Sequence, residues 1–309
     1  IQLIYVNMYQ YDKYFLTENC YKEMFYHSAV AALPTTMLPQ EELVPHCYDG
    51  MFSYCDQIVT LPEGFLPADQ LVESCYACMF QVCDNLNNIQ DEALPATKGA
   101  VKCYEEMFSG CPINSLSAGL LKLDELFEDC FAYMFSNNPN LTEVPSGLLP
   151  WTTLAVGCYR GMFEGCSNLN TLGDNLLPAT TLAEFCYEEM FTSCDLTELP
   201  DDLLPATQLV NECYTDMFAY NPSLRKVTVN FESWDSATKD TDDYLPTDDW
   251  LVGVADDGEF YCPTSLAQTF GGSYIPEGWL VNGEEPVPPT PSNKAKIVFL
   301  KKYCAGVRK

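Results

Sequence analysis

Sixteen cysteines in 309 residues are the side chains here whose chemistry could be called on most directly, as disulfides, metal ligands or nucleophiles. Ten of them form pairs eight apart, namely Cys47/Cys55, Cys75/Cys83, Cys103/Cys111, Cys158/Cys166 and Cys186/Cys194. On one helix the members of such a pair stand about 12 Å apart, beyond the roughly 7 Å between Cα atoms that a disulfide spans. Bridges between neighbouring segments stay geometrically open, and the plainer reading is of buried free thiols acting as small apolar residues. The stretch "CYACMFQVC" (75–83) adds Cys78 without the spacing of paired zinc knuckles, so Cys78 reads as an exposed thiol and no metal is assigned.

A nucleophilic cysteine also needs a base. The chain has two histidines, His27 and His46, both at positions that vary from repeat to repeat and read as solvent-exposed. The carboxylate pairs Glu105/Glu106 and Glu188/Glu189 read as solvated surface. Aspartates crowd at 235–257 (Asp240, Asp242, Asp243, Asp248, Asp249, Asp256, Asp257) without the spacing of an EF-hand, which makes a polar capping loop the first reading and calcium the second. No base, nucleophile and stabilising group converge, so the expectation is a protein that is not an enzyme and takes no cofactor.

The elements that must carry these residues repeat. Cys, then Tyr or Phe, two variable residues and Met-Phe recur at Cys20, Cys47, Cys75, Cys103, Cys130, Cys158, Cys186 and Cys213, at steps of 27 or 28 residues. Fourteen residues before each cysteine stands an aliphatic residue, Val6, Leu33, Leu61, Ile89, Leu116, Val144, Leu172 or Leu199, with another three before that. Runs such as "LTEVP" (141–145) read as short strands. In "TTLAEFCYEEMFTSC" (180–194), Leu182, Cys186, Met190 and Cys194 at steps of four read as one face of an α-helix. Asp69, Thr97, Asp124, Thr152, Thr180 and Thr207 then fall where helix N-caps belong.

A unit of this size cannot bury both apolar faces alone, so neighbours must stack. The expected fold is α/β, a curved leucine-rich-repeat solenoid with parallel strands on the inner face and helices outside, because strands stack closer than helices. Residues 1–227 would form the solenoid, eight repeats plus a ninth strand, and 228–283 a small β-rich C-terminal cap with a hairpin at Asp257-Gly258. A Pro-rich linker (284–293) and a basic tail (294–309) follow.

The repeated "LLPATTLAEFCYEEMFTSCDLTELP" (176–200), followed by "DDWLVGVADDGEFYCPTSLAQTFGGSYIPEGWLV" (248–281), resembles the BspA-like leucine-rich-repeat surface proteins of anaerobic bacteria. The resemblance implies extracellular or cell-surface display and protein or glycan binding, including adhesion. The third strand position is the row expected to face a ligand: Tyr5, Ala32, Thr60, Asn88, Ser115, Glu143, Thr171, Glu198 and Lys226.

Charge bounds the partners. The formal charge is −29, and residues 294–309 carry six basic residues and no acid, so the remainder reaches −35. Such a surface repels nucleic acid, and no apolar run is long enough to span a bilayer. The tail, with Lys294, Lys296, Lys301 and Lys302, suits an acidic neighbour. It supports the alternative of a structural or host-attachment protein docking into a phage particle or surface filament.

Overall fold

A computed structural model describes residues 16–38, 42–237 and 245–284. Equivalent residues of successive repeats lie side by side in register. On one face run short parallel strands: β1 (Thr60–Leu61) pairs with β2 (Asn88–Ile89), β3 (Glu143–Val144) with β4 (Thr171–Leu172). β5 (Lys226–Thr228), β6 (Glu259–Tyr261) and β7 (Leu280–Val281) form a three-stranded sheet in that order.

The helices and the leucine-rich-repeat solenoid expected around them are not what forms: among the described residues there is no helix. Each Cys-Tyr-x-x-Met-Phe segment is instead a flat ribbon of consecutive turns. Cys47, Asp49, Met51, Ser53 and Cys55 donate N–H to the carbonyl three residues back, while His46, Tyr48, Gly50, Phe52 and Tyr54 donate to the next repeat, at Glu73, Cys75, Ala77, Met79 and Gln81. Every fourth residue is left-handed, with φ of 54° at His46, 59° at Gly50 and 60° at Tyr54.

Two physical facts separate this ribbon from a helix. A helix sends each N–H to the carbonyl four residues back, whereas here alternate N–H groups go to a carbonyl three back and to one in the next repeat. Helix axes also need about 8–10 Å. Equivalent rings here stand 6.0 Å apart for Tyr48–Tyr76 and 5.5 Å for Phe52–Phe80. With ribbons and strands stacking at similar separations, the mismatch invoked for curvature disappears.

Two aromatic ladders hold the ribbons together. One runs from Tyr21 through Tyr48, Tyr76, Tyr104, Phe131, Tyr159 and Tyr187 to Tyr214, and the other from Phe25 to Phe218. Each stacked pair adds about 0.5–1.5 kcal/mol beyond the area it buries. The cysteine at the end of a ribbon is a donor: Cys83, Cys111, Cys166 and Cys194 point Sγ at the carbonyls of Phe52, Phe80, Phe135 and Phe163. The residues read as helix caps join neighbours instead, since Asp69 accepts both the N–H and the hydroxyl of Thr97, one repeat on.

The hairpin at Asp257-Gly258 does not form. Residues 245–253 lie as a further ribbon against 214–220, with Tyr214, Asp216, Phe218 and Tyr220 donating to Pro246, Asp248, Trp250 and Val252. The chain then enters β6, which is parallel to both its neighbours. Gly258 is needed for room rather than for a turn, because a Cβ there would stand 2.6 Å from the Arg225 carbonyl and 2.7 Å from the Trp279 ring.

Candidate binding groove on the strand face

The alternation of each strand is clear. Leu61, Ile89, Leu116, Val144, Leu172, Leu199 and Val227 are buried, and between them Asn88, Ser115, Glu143, Thr171 and Glu198 are exposed, with Thr60 and Lys226 half-exposed. Register sets Thr60 beside Asn88, Glu143 beside Thr171, and Lys226 beside Glu259. Tyr5 lies outside the described residues, as do the tail lysines Lys294, Lys296, Lys301 and Lys302 and three of the clustered aspartates, Asp240, Asp242 and Asp243.

The strand row is interrupted at several places, at three of which proline stands one residue past the buried aliphatic; between β2 and 115–116 it breaks with Ser117 in that position. Gln90 and Gly173 donate N–H to Leu61 and Val144 and close the β1–β2 and β3–β4 pairs. Pro62, Pro145 and Pro200 occupy the same position in their repeats and have no N–H to give. The row therefore breaks on the N-terminal side of β1, of β3 and of the segment 196–200. At the last break, Asp195 N–H to Leu169 carbonyl is the one backbone bond between the two repeats on this face among the described residues.

Over that break lies a groove of about 620 Å³, running from Asn170–Leu172 and Asp174 across Asp195 and Thr197–Asp201 to Lys226. Three members of the expected row, Thr171, Glu198 and Lys226, meet in it. Lys226 is held by Asp201 at 2.9 Å, and Thr228 donates its hydroxyl to the same carboxylate at 2.9 Å. These bonds lower the pKa of Asp201 and raise that of Lys226. Asp174, Asp195 and Glu198 are exposed and none makes a direct ion pair among the described residues, while Glu198 adds to the field that raises Lys226. Sequence reasoning named the row and missed the rim, Asp174, Asp195 and Asp201. The available signal was Pro200, which marks the place where the ladder must open.

The cysteines do not gather into a chemical centre. Fifteen are described as free thiols, twelve of them buried. Cys78 is half-buried rather than exposed, and burial with Glu106 nearby pushes its thiol up to about 12, the opposite of an activated nucleophile. His46 faces Asp49 at 3.2 Å and His27 faces the Tyr54 ring. Of the clustered aspartates, Asp248 accepts from Leu245 N–H and Ser273, and Asp257 pairs with Arg225. Among the described residues no three His, Cys, Asp or Glu side chains converge as a metal site would require, and no helix is long and apolar enough to cross a membrane.

Comparison with family models, with curated proteins and with solved structures returned no match, so the groove is interpreted from its own geometry.

Proposed function

We propose that this chain is a non-enzymatic extracellular module that binds protein or glycan ligands through its strand face, centred on the groove beside Thr171, Glu198 and Lys226. One observation carries the reading: the outward row of small polar side chains meets, at the Pro200 break, an open groove of about 620 Å³ lined by hydroxyl, carboxamide, carboxylate and ammonium groups. Such a lining supplies several directed hydrogen bonds and little apolar anchorage, which suits polar, adaptable ligands. Surface display follows the resemblance to BspA-like proteins in the repeat residues, although the leucine-rich-repeat architecture that resemblance implied is not the one found.

The experiment is a screen of the purified chain against immobilised glycans and extracellular proteins, repeated with Thr171→Ala, Glu198→Lys and Lys226→Glu. The reading expects at least one ligand whose binding falls tenfold or more in two of the three variants. Binding that all three variants leave unchanged would place recognition elsewhere.

A further inference from the structure

The groove is charged in a way that specifies an occupant. Asp174, Asp195 and Glu198 are exposed carboxylates, and the nearest cation, Lys226, is already committed to Asp201. Pro200 leaves the Leu172 carbonyl, at the lining of the groove, without the N–H that its counterparts on Leu61 and Val144 receive. A segment that fits this rim must carry several cations.

This chain contains one such segment. "KAKIVFLKKY" (294–303) has strand composition, four lysines and no acid, on a polypeptide whose other residues carry a net charge of −33. The linker between Glu284 and Lys294 is nine residues, about 28 Å if extended at about 3.1 Å per residue. From β7 back across β6 and β5 to the 196–200 segment is three strand steps, about 15 Å at the usual spacing. The linker is long enough for the tail to reach the groove from its own body, and tethering would then keep its effective concentration far above that of a second molecule.

We propose that residues 294–303 dock in cis along the groove at the Pro200 break, with their lysines paired to Asp174, Asp195 and Glu198, so that the tail competes with external ligand for the same surface. This rests on reading the groove as a binding site.

Zero-length carbodiimide cross-linking of the full chain at low salt tests it without any external ligand. The expected result is amide bonds from Lys294, Lys296, Lys301 or Lys302 to the three carboxylates in the monomer fraction. Their yield should fall at least fivefold in 0.5 M NaCl, as screening requires, and again in Lys294→Glu/Lys296→Glu/Lys301→Glu/Lys302→Glu. Cross-links found only in a dimer fraction would make a second copy the partner and overturn the proposal, as would tail cross-links spread evenly over the acidic surface. Either result leaves the ligand screen to stand or fall alone.

Discussion

Asn138 accepts the Ile113 N–H through its amide oxygen at 3.2 Å, while its nitrogen donates to the carbonyls of Phe108, Phe135 and Ser136. Asn221 does the same for Leu196, at 3.1 Å. Both stand where other repeats have cysteine, and both follow a linker one residue short, "CPI" (111–113) and "CDL" (194–196). The shortened linker turns a backbone N–H inward, and the asparagine supplies an acceptor that a thiol cannot. The short linker at 28–30 is followed instead by Cys55, which hydrogen-bonds Ser28. Asn138→Cys, although it restores the commoner repeat residue, is expected to destabilise by about 1–3 kcal/mol through the unpaired Ile113 N–H, read as a lower denaturant midpoint.

Glycines 157, 161 and 165 give the opposite lesson about the outer ribbon face. Their missing side chains let Asp129, Tyr133 and Asn137 lie across the next repeat, so that the Tyr133 hydroxyl reaches Glu189, two repeats away, at 2.6 Å. A Cβ at Gly161 would sit 2.1 Å from the Tyr133 ring. Gly161→Ala should therefore cost about 2 kcal/mol or more from overpacking and a left-handed backbone together, seen as a lower melting temperature. Val82 is β-branched with φ of 53°. There the strain relieved exceeds the added chain entropy, and Val82→Gly is expected to gain about 0.5 kcal/mol.

The pH dependence of stability is centred on Glu188. Burial raises its carboxyl to about 7, with Arg160, 2.7 Å away, pulling the other way and Glu189, Glu212 and Asp216 adding to the rise. A folded pKa above the ordinary glutamate value means the folded state holds its proton more tightly than the unfolded chain. The contribution is fully present below about 4.5 and is lost as pH rises through about 7. Burial pushes Glu106, Glu164 and Asp216 in the same direction. The melting temperature should be higher at pH 5.5 than at pH 8 by about 2 °C or more, and Glu188→Gln should flatten that difference.

Closing the ladder at the groove is a single substitution. Pro200→Ala restores an N–H opposite the Leu172 carbonyl, so amide exchange at residue 200 should be slow if the bond forms. Tail cross-linking to Glu198 should drop as the break closes. Rapid exchange at residue 200 would mean that something other than proline holds the repeats apart there.

Much of this molecule was legible in its letters. The frame of the repeat, the buried Cys, Tyr or Phe, Met and Phe of each ribbon after the one at Cys20–Phe25, whose Cys20 and Met24 are exposed, and the outward strand row follow from spacing, because burial imposes the same period on any backbone that packs neighbours in register. The backbone itself was not legible. A stripe at steps of four fits a helix loosely and a four-residue turn ribbon better, and apolar content cannot tell them apart. Residues tolerated at positive φ could have hinted at it, yet Glu23, Lys102 and Phe185 sit there as well as Gly50 and Asn19. The groove was half legible. Thr171, Glu198 and Lys226 stood in the expected row, but the role of Pro200 depends on which residue lies opposite it in the neighbouring repeat.

The ribbon hydrogen bonds carry a further consequence in their direction. Asn19 to Pro45, Tyr48 to Cys75, Tyr104 to Cys130, Tyr159 to Cys186 and Tyr214 to Pro246 all run from an N–H to a carbonyl of the following repeat. The alternate peptides that bond between ribbons therefore align across the chain rather than along it, giving the ribbon face a carbonyl edge at its first described repeat and an N–H edge toward the last, while strand-face bonds such as Gln90 to Leu61 run the other way. Growth of such a face is one-way: the edge at Cys20–Tyr26 can accept only a ribbon that brings N–H groups. Two copies meeting there symmetrically would set carbonyl against carbonyl.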